Sequence, residues 1–208
     1  MEFGAKTTNM ARYTGPKDRL SRREGIDLFG KGAKLTRLTV PPGVHGPRGY
    51  FRISGYGKQL REKQKVKRLY GVLEKQFKKY VEKAFKVRGN TGEKLVSMLE
   101  LRLDNVVYRA GLAPTRPSAR QLVSHRQVLV NGKVVNIPSY QVRVGDSLTM
   151  SAKAMEIPAV KKLLGQEDFK PPTWLQRKGP AVLVKSVPKR EDVVELISEQ
   201  DIVEYYSR

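Results

Sequence analysis

Three features of the sequence predict an α+β fold. Apolar residues recur every three or four positions from Val66 to Phe85, which is the spacing of helices with one buried face. After residue 127 the period changes to alternation, with Val128-Leu129-Val130 and Lys133-Val134-Val135 flanking Asn131-Gly132. Hydrophobic residues make up 39% of 208, enough for a modest core.

Residues 1–9 differ in character from the rest of the chain and precede a second start at Met10, so they read as a leader or tag rather than as part of the fold. Residues 10–57 are rich in Gly, Pro, Arg and Lys, with turn signals at Gly15-Pro16, Pro41-Pro42-Gly43 and Gly46-Pro47-Arg48-Gly49. Such a segment buries little and is expected to be an irregular basic arm ordered mainly by its partner. A short helix is predicted near Ser21–Leu28, with Ser21 as cap and Glu24 three residues on.

Lys58 to Arg88 is the strongest helical signal, divided near Gly71. Tyr70, Phe77, Tyr80 and Phe85 fall at helical spacing and are assigned to the core. A helix opened by Thr91 fits 92–102, and another fits 103–110, ended by Gly111. Arg116 to Ser124 reads as a short basic helix, with Thr115 as cap and Pro117 in the first turn. It runs into the hairpin, where Asn-Gly suits a type I′ turn because both central residues need positive φ. Strands are expected at Gln141–Gly145, Ser147–Met150 and Ala181–Val187, and a terminal helix at Ser198–Tyr206.

Charge narrows the function. There are 41 Lys+Arg against 20 Asp+Glu, a net charge of +21, which predicts a polyanionic partner. The excess is uneven: 24 basic and nine acidic residues in 1–100, 16 and five in 101–190, one and six in 191–208. The acidic end is expected to fold back on the protein or face a basic neighbour. Cysteine is absent, which excludes disulfides and thiolate metal sites. No apolar run has membrane-spanning length and no signal-peptide pattern appears, so a soluble intracellular protein is expected. A P-loop and a strand-associated Gly-x-Gly-x-x-Gly are both missing.

Several blocks together resemble one family. They are Met10-Ala-Arg-Tyr-Thr-Gly-Pro-Lys17, Leu20-Ser-Arg-Arg-Glu-Gly25, Gln59-Leu-Arg-Glu-Lys-Gln-Lys-Val66 and Tyr70-Gly-Val-Leu-Glu-Lys-Gln-Phe77. They continue through Gly89-Asn-Thr-Gly-Glu93, Arg102-Leu-Asp-Asn-Val-Val-Tyr-Arg109, Ala119-Arg-Gln-Leu-Val-Ser-His125 and Val130-Asn-Gly-Lys-Val-Val-Asn-Ile-Pro-Ser-Tyr140. In this order they resemble the small-subunit ribosomal protein four family of bacteria and organelles over nearly the whole chain. The resemblance implies a helical first domain, 58–100, completed by 191–208. It implies a second domain inserted at 101–190, with helices, a small antiparallel sheet and the family's RNA-binding module. It further implies binding to the five-prime domain of small-subunit ribosomal RNA at a helical junction, early in assembly. Contacts with neighbouring ribosomal proteins near the messenger RNA entry channel, notably protein five, and an influence on decoding accuracy are also implied. The cytoplasmic ribosome is the expected location, although an organelle-encoded chain would look the same. Some members hold zinc with four cysteines near the N-terminus. None stands here between Lys31 and Arg48, so that site cannot exist and no cofactor is expected.

The RNA-binding candidates are Arg12, Lys17, Arg22, Arg23, Arg48 and Arg52 in the arm, and Lys58, Arg61, Lys65 and Arg68 on the first long helix. In the second domain they are Arg116, Ser118, Arg120, Gln121, His125, Asn131 and Lys133. Any one of these cations could equally be a solvated surface charge. Tyr13, Tyr50, Phe51 and Tyr56 lie among basic residues, where a ring either stacks on an exposed base or packs against the protein. Arg102-Leu-Asp104 also occurs as a catalytic motif in some pseudouridine synthases. Here it opens a helix, where Asp favours the dipole, and no catalytic domain remains around it. His45 and His125 are the only histidines, and a zinc site would need carboxylates to complete it. Two rivals to a ribosomal RNA scaffold are an RNA-modifying enzyme and a nonspecific basic protein that binds duplex DNA and RNA alike. Repression of its own messenger would add to the scaffold reading.

Overall fold

A computed structural model describes residues 13–44, 46, 53–166 and 169–207. Arg12, Arg48 and Arg52, and with them Tyr50, Phe51 and His45, lie outside the described residues.

Helix α1 (Lys17–Glu24) starts earlier than the sequence suggested and ends at Gly25. Ser21 is not its cap. It sits inside the helix, and its buried hydroxyl accepts a hydrogen bond from the Leu28 N–H at 3.3 Å. That bond turns the chain so that Leu28 enters the helical core, which gives part of the arm an anchor in the protein itself. Helices α2 (Gly55–Leu69) and α3 (Glu74–Phe85) flank the break at Gly71, and α4 (Thr91–Glu100) is capped by the Asn90 side chain rather than Thr91. Val66, Tyr70, Phe77, Tyr80, Val81 and Leu95 form the core of this half, joined by Val193, Ile197 and Ile202 from the acidic end. Phe85, assigned to the core by spacing, is 43% exposed, because it ends α3 beyond the last covering helix turn. Helix α9 (Glu199–Ser207) packs on α2 and α4, and Lys63 of α2 lies 4.5 Å from the Tyr205 ring centre while its ammonium bonds Glu74 at 2.9 Å.

Helix α5 (Leu103–Arg109) packs on α6 (Arg116–Ser124) above an antiparallel sheet of order β2-β1-β3-β5-β4. The strands are β1 (Val128–Val130), β2 (Lys133–Val134), β3 (Ser147–Met150), β4 (Leu175–Lys178) and β5 (Ala181–Val184). Registers such as Val130↔Lys133, Val130↔Leu148 and Leu148↔Val182 bring Val130, Leu148 and Val182 onto one buried face. Short helices α7 (Ala152–Met155) and α8 (Pro158–Leu164) and the fully buried Trp174 complete this second core. The strand expected at Gln141–Gly145 does not form. Gln141 makes a single bridge to Arg102, and the Val142 N–H donates to the Leu101 carbonyl at 2.9 Å, so the start of this segment clasps the α4–α5 link, and only its end meets the sheet, where the Gly145 N–H donates to the Val184 carbonyl at 2.9 Å. None of the helices among the described residues is long and apolar enough to cross a membrane.

Candidate nucleic-acid interface

Helix α6 is built as the sequence suggests. The Thr115 hydroxyl accepts from the Ser118 N–H at 3.3 Å, and Pro117 occupies the first turn, where a missing N–H costs nothing. Ala119, Leu122 and Val123 face the core, which turns Gln121, Ser124 and His125 outward. Asn131 (φ 50°) and Gly132 (φ 76°) form the hairpin turn, and Lys133 projects from it exposed. The Asn131 side chain works within the turn: its amide donates to Asp146 at 2.8 Å and its oxygen accepts from the Ser147 N–H at 2.9 Å. From Arg116 to Val135 the chain has four basic residues and no acidic one.

Arg116 points inward. Its guanidinium donates to Asn105 at 2.9 Å and to Glu195 at 2.6 Å, and it lies over the Tyr70 and Tyr108 rings. Arg109 donates to Glu100 at 2.8 Å and to Glu195 at 2.5 Å, and Glu100 also accepts from the Tyr70 hydroxyl at 2.6 Å and from Asn105 at 2.8 Å. Burial would push the Glu195 carboxyl up, but the charges and hydrogen bonds of Arg116 and Arg109 hold it at about 2 instead of 4.5. Burial, and then the Glu100 charge, drive the Tyr70 phenol well above its ordinary value. This network joins the end of α2, the end of α4, α5, the start of α6 and the acidic tail. The two cores are thereby fixed against each other.

A groove of about 470 Å³ opens beside the network, between α1–α2 and the start of α6. Leu20, Phe29, Tyr70 and Val72 contribute its apolar lining, and Tyr13 sits at its margin. Four of the sequence candidates meet there: Lys17, Arg68, Arg116 and Arg120. Lys17 is exposed, with its ammonium 5.6 Å from the Phe29 ring centre. Arg68 pairs with Glu24, and Arg120 bonds the Gly71 carbonyl at 3.3 Å and lies 3.6 Å from Asp104. The sequence reading missed Gln64 and Lys67, which line the groove beside Arg68. The signal was present in their spacing, since 64, 67 and 68 share one helical face.

The other candidates lie elsewhere. The Arg22 guanidinium donates to the carbonyls of Val40 at 2.9 Å and Pro41 at 3.2 Å, which holds the Pro-rich loop on α1. Arg61 pairs with Glu24 at 3.4 Å and Lys65 with Glu62 at 2.5 Å, while Arg23 and Lys58 stand exposed. Asp104 of the Arg-Leu-Asp motif is buried and bound by Arg102 at 2.7 and 3.1 Å, and Arg102 also bonds the Tyr80 hydroxyl at 2.9 Å. The motif is a clasp between α5 and α3. Among the described residues, no three His, Asp or Glu side chains cluster to hold a metal ion.

Residues 12–100 match the family Ribosomal protein S4/S9 N-terminal domain, and residues 101–148 match the S4 domain. The chain is 52% identical to the small ribosomal subunit protein uS4 of Cupriavidus pinatubonensis, over 96% of this chain and all of that protein. The proteins of the same name from Cupriavidus necator and Cutibacterium acnes are 51% and 50% identical, with the same coverage.

Proposed function

Because the chain belongs to the small ribosomal subunit protein uS4 family, we propose that it is a non-enzymatic scaffold of the small ribosomal subunit that binds the five-prime domain of ribosomal RNA at a helical junction. The observation that carries this reading is the rigid joint. The network of Glu100, Arg109, Arg116 and Glu195 ties the α6–hairpin segment, whose residues 116–135 include no acid, to the basic surface of α1–α2. A-form RNA offers side chains little sequence in its deep major groove, so a binder that selects one junction must read shape, phosphates and 2′-hydroxyls. Two basic surfaces at constant spacing supply that selectivity. Lys17, Arg23, Lys58, Ser118, Arg120, Gln121, His125 and Lys133 are the contacting residues in this reading. Arg116, Arg22 and Asn131 act by holding the surfaces in shape.

Early binding in assembly, contact with protein five, a place near the messenger RNA and support of decoding accuracy belong to the same proposal. Two acids of the tail are taken up within the protein, Glu195 by Arg109 and Arg116 and Glu199 by Arg190.

The test is equilibrium binding of the full chain to the isolated five-prime domain, with excess tRNA and duplex DNA as competitors at physiological salt. Tight binding that survives the competitors and is lost when the junction is disrupted is the expected result. Binding removed equally by any polyanion would leave only the net charge explained and would overturn the proposal.

A further inference from the structure

Three helices of this chain close in the same way. After α2 the N–H of Gly71 bonds the Arg68 carbonyl at 3.1 Å and that of Val72 bonds the Lys67 carbonyl at 3.0 Å. After α5 the pairs are Gly111 to Tyr108 at 2.9 Å and Leu112 to Val107 at 3.1 Å, and after α6 they are Arg126 to Val123 and Gln127 to Leu122, both at 3.0 Å. The residue at the turning point is left-handed each time, with φ of 62°, 69° and 61°. Glycine takes that conformation without a Cβ clash and is the usual choice there. Helices α2 and α5 use glycine; α6 uses Arg126.

The backbone around Arg126 is tied from both sides. Gln127 accepts the Ser151 N–H at 2.9 Å on its carbonyl, and its side-chain amide donates back to the His125 carbonyl at 3.1 Å. A strained residue persists where its surroundings over-determine it, and such residues concentrate at working sites. The side chain itself is exposed and makes no hydrogen bond or ion pair with any described residue, so nothing among the described residues explains the choice of arginine. It stands between His125 and the hairpin, in the run that carries no acidic residue.

We infer that Arg126 is a phosphate-contacting residue of the RNA interface, presented by the α6 closure at a local conformational cost; this rests on the RNA-scaffold reading above. A guanidinium there has five donors and no competing carboxylate of its own, which suits a bridging phosphate. The strain also separates the two possible roles. A merely tolerated arginine and a working one both predict that glycine relieves the backbone, but only the working one predicts a loss of binding.

The experiment compares the full chain with Arg126→Gly and Arg126→Lys, measuring unfolding midpoints and affinity for the five-prime domain RNA across a salt series. Arg126→Gly should raise the midpoint, weaken binding about three- to tenfold at physiological salt, and flatten the log–log salt slope by about 0.7 to 0.9, the value of one phosphate contact. Arg126→Lys should keep the slope and leave the midpoint near that of the parent. A glycine variant that is more stable yet binds with unchanged affinity and slope would overturn the inference. Failure of the parent chain to prefer this RNA over tRNA would overturn the scaffold reading, and the inference with it.

Discussion

Arg116 and Lys133 lie in one basic stretch, 17 positions apart, and the fold puts them to opposite uses. Arg116 opens α6 and is consumed at the joint between the two cores, by Asn105, Glu195 and two aromatic rings. Lys133 leaves the hairpin turn exposed. Positive charge in this chain is thus of two kinds: one kind is bonded within the protein at the joint, and the other stands exposed, where we propose that it meets phosphates. A net charge of +21 announces a polyanionic partner but does not say which residues touch it.

The sharpest way to break the joint is to remove its acids. Glu100→Ala should cost about 3–5 kcal/mol in urea unfolding, because Arg109, Asn105 and the Tyr70 hydroxyl would lose their partner inside the protein. A loss below about 1 kcal/mol would mean that the network is decorative. Acid gives a graded version of the same test. The folded Glu195 carboxyl sits at about 2, below its unfolded value of 4.5, so its contribution is complete above pH 4.5 and is lost as the pH falls from there towards 2. Stability measured against pH should therefore drop less steeply over that window in Glu195→Gln than in the parent. Equal slopes would remove Glu195 from the account. The smallest effect on the fold is expected at the other kind of charge. Lys133→Ala should change stability by no more than about 0.5 kcal/mol, yet flatten the salt dependence of RNA binding by about 0.7 to 0.9. A salt series in which Lys133→Ala tracks the parent would erase the distinction.

Local chemistry made much of this legible. Asn131-Gly132 dictates its turn, Thr115 caps α6, and the 3–4 spacing from Val66 marks two helices whose partners arrive from far along the chain. What stayed hidden depends on those distant partners. Strand β4 reads Leu-Gln-Arg-Lys, without apolar alternation, because an edge strand needs only Leu175 turned inward and its pairing comes from β5. Gln141–Gly145 has the alternation, but Gln141 and Val142 spend their backbone on Arg102 and Leu101, and Val144 is left outside. Among the site residues, Lys133 and His125 sit where their local sequence places them. Arg116 could not be read as internal without knowing that Glu195 folds back across α5.

The most direct measurement is residue-resolved labelling of lysines and arginines in the free chain and in its complex with the five-prime domain RNA. Lys133, Arg126 and Lys17 should react in the free chain and be protected in the complex, while Lys63, Arg102 and Arg116 should resist the reagents in both. Equal reactivity of Lys133 and Arg126 in the free and bound chain would contradict the assignment of the α6–hairpin face as the RNA interface.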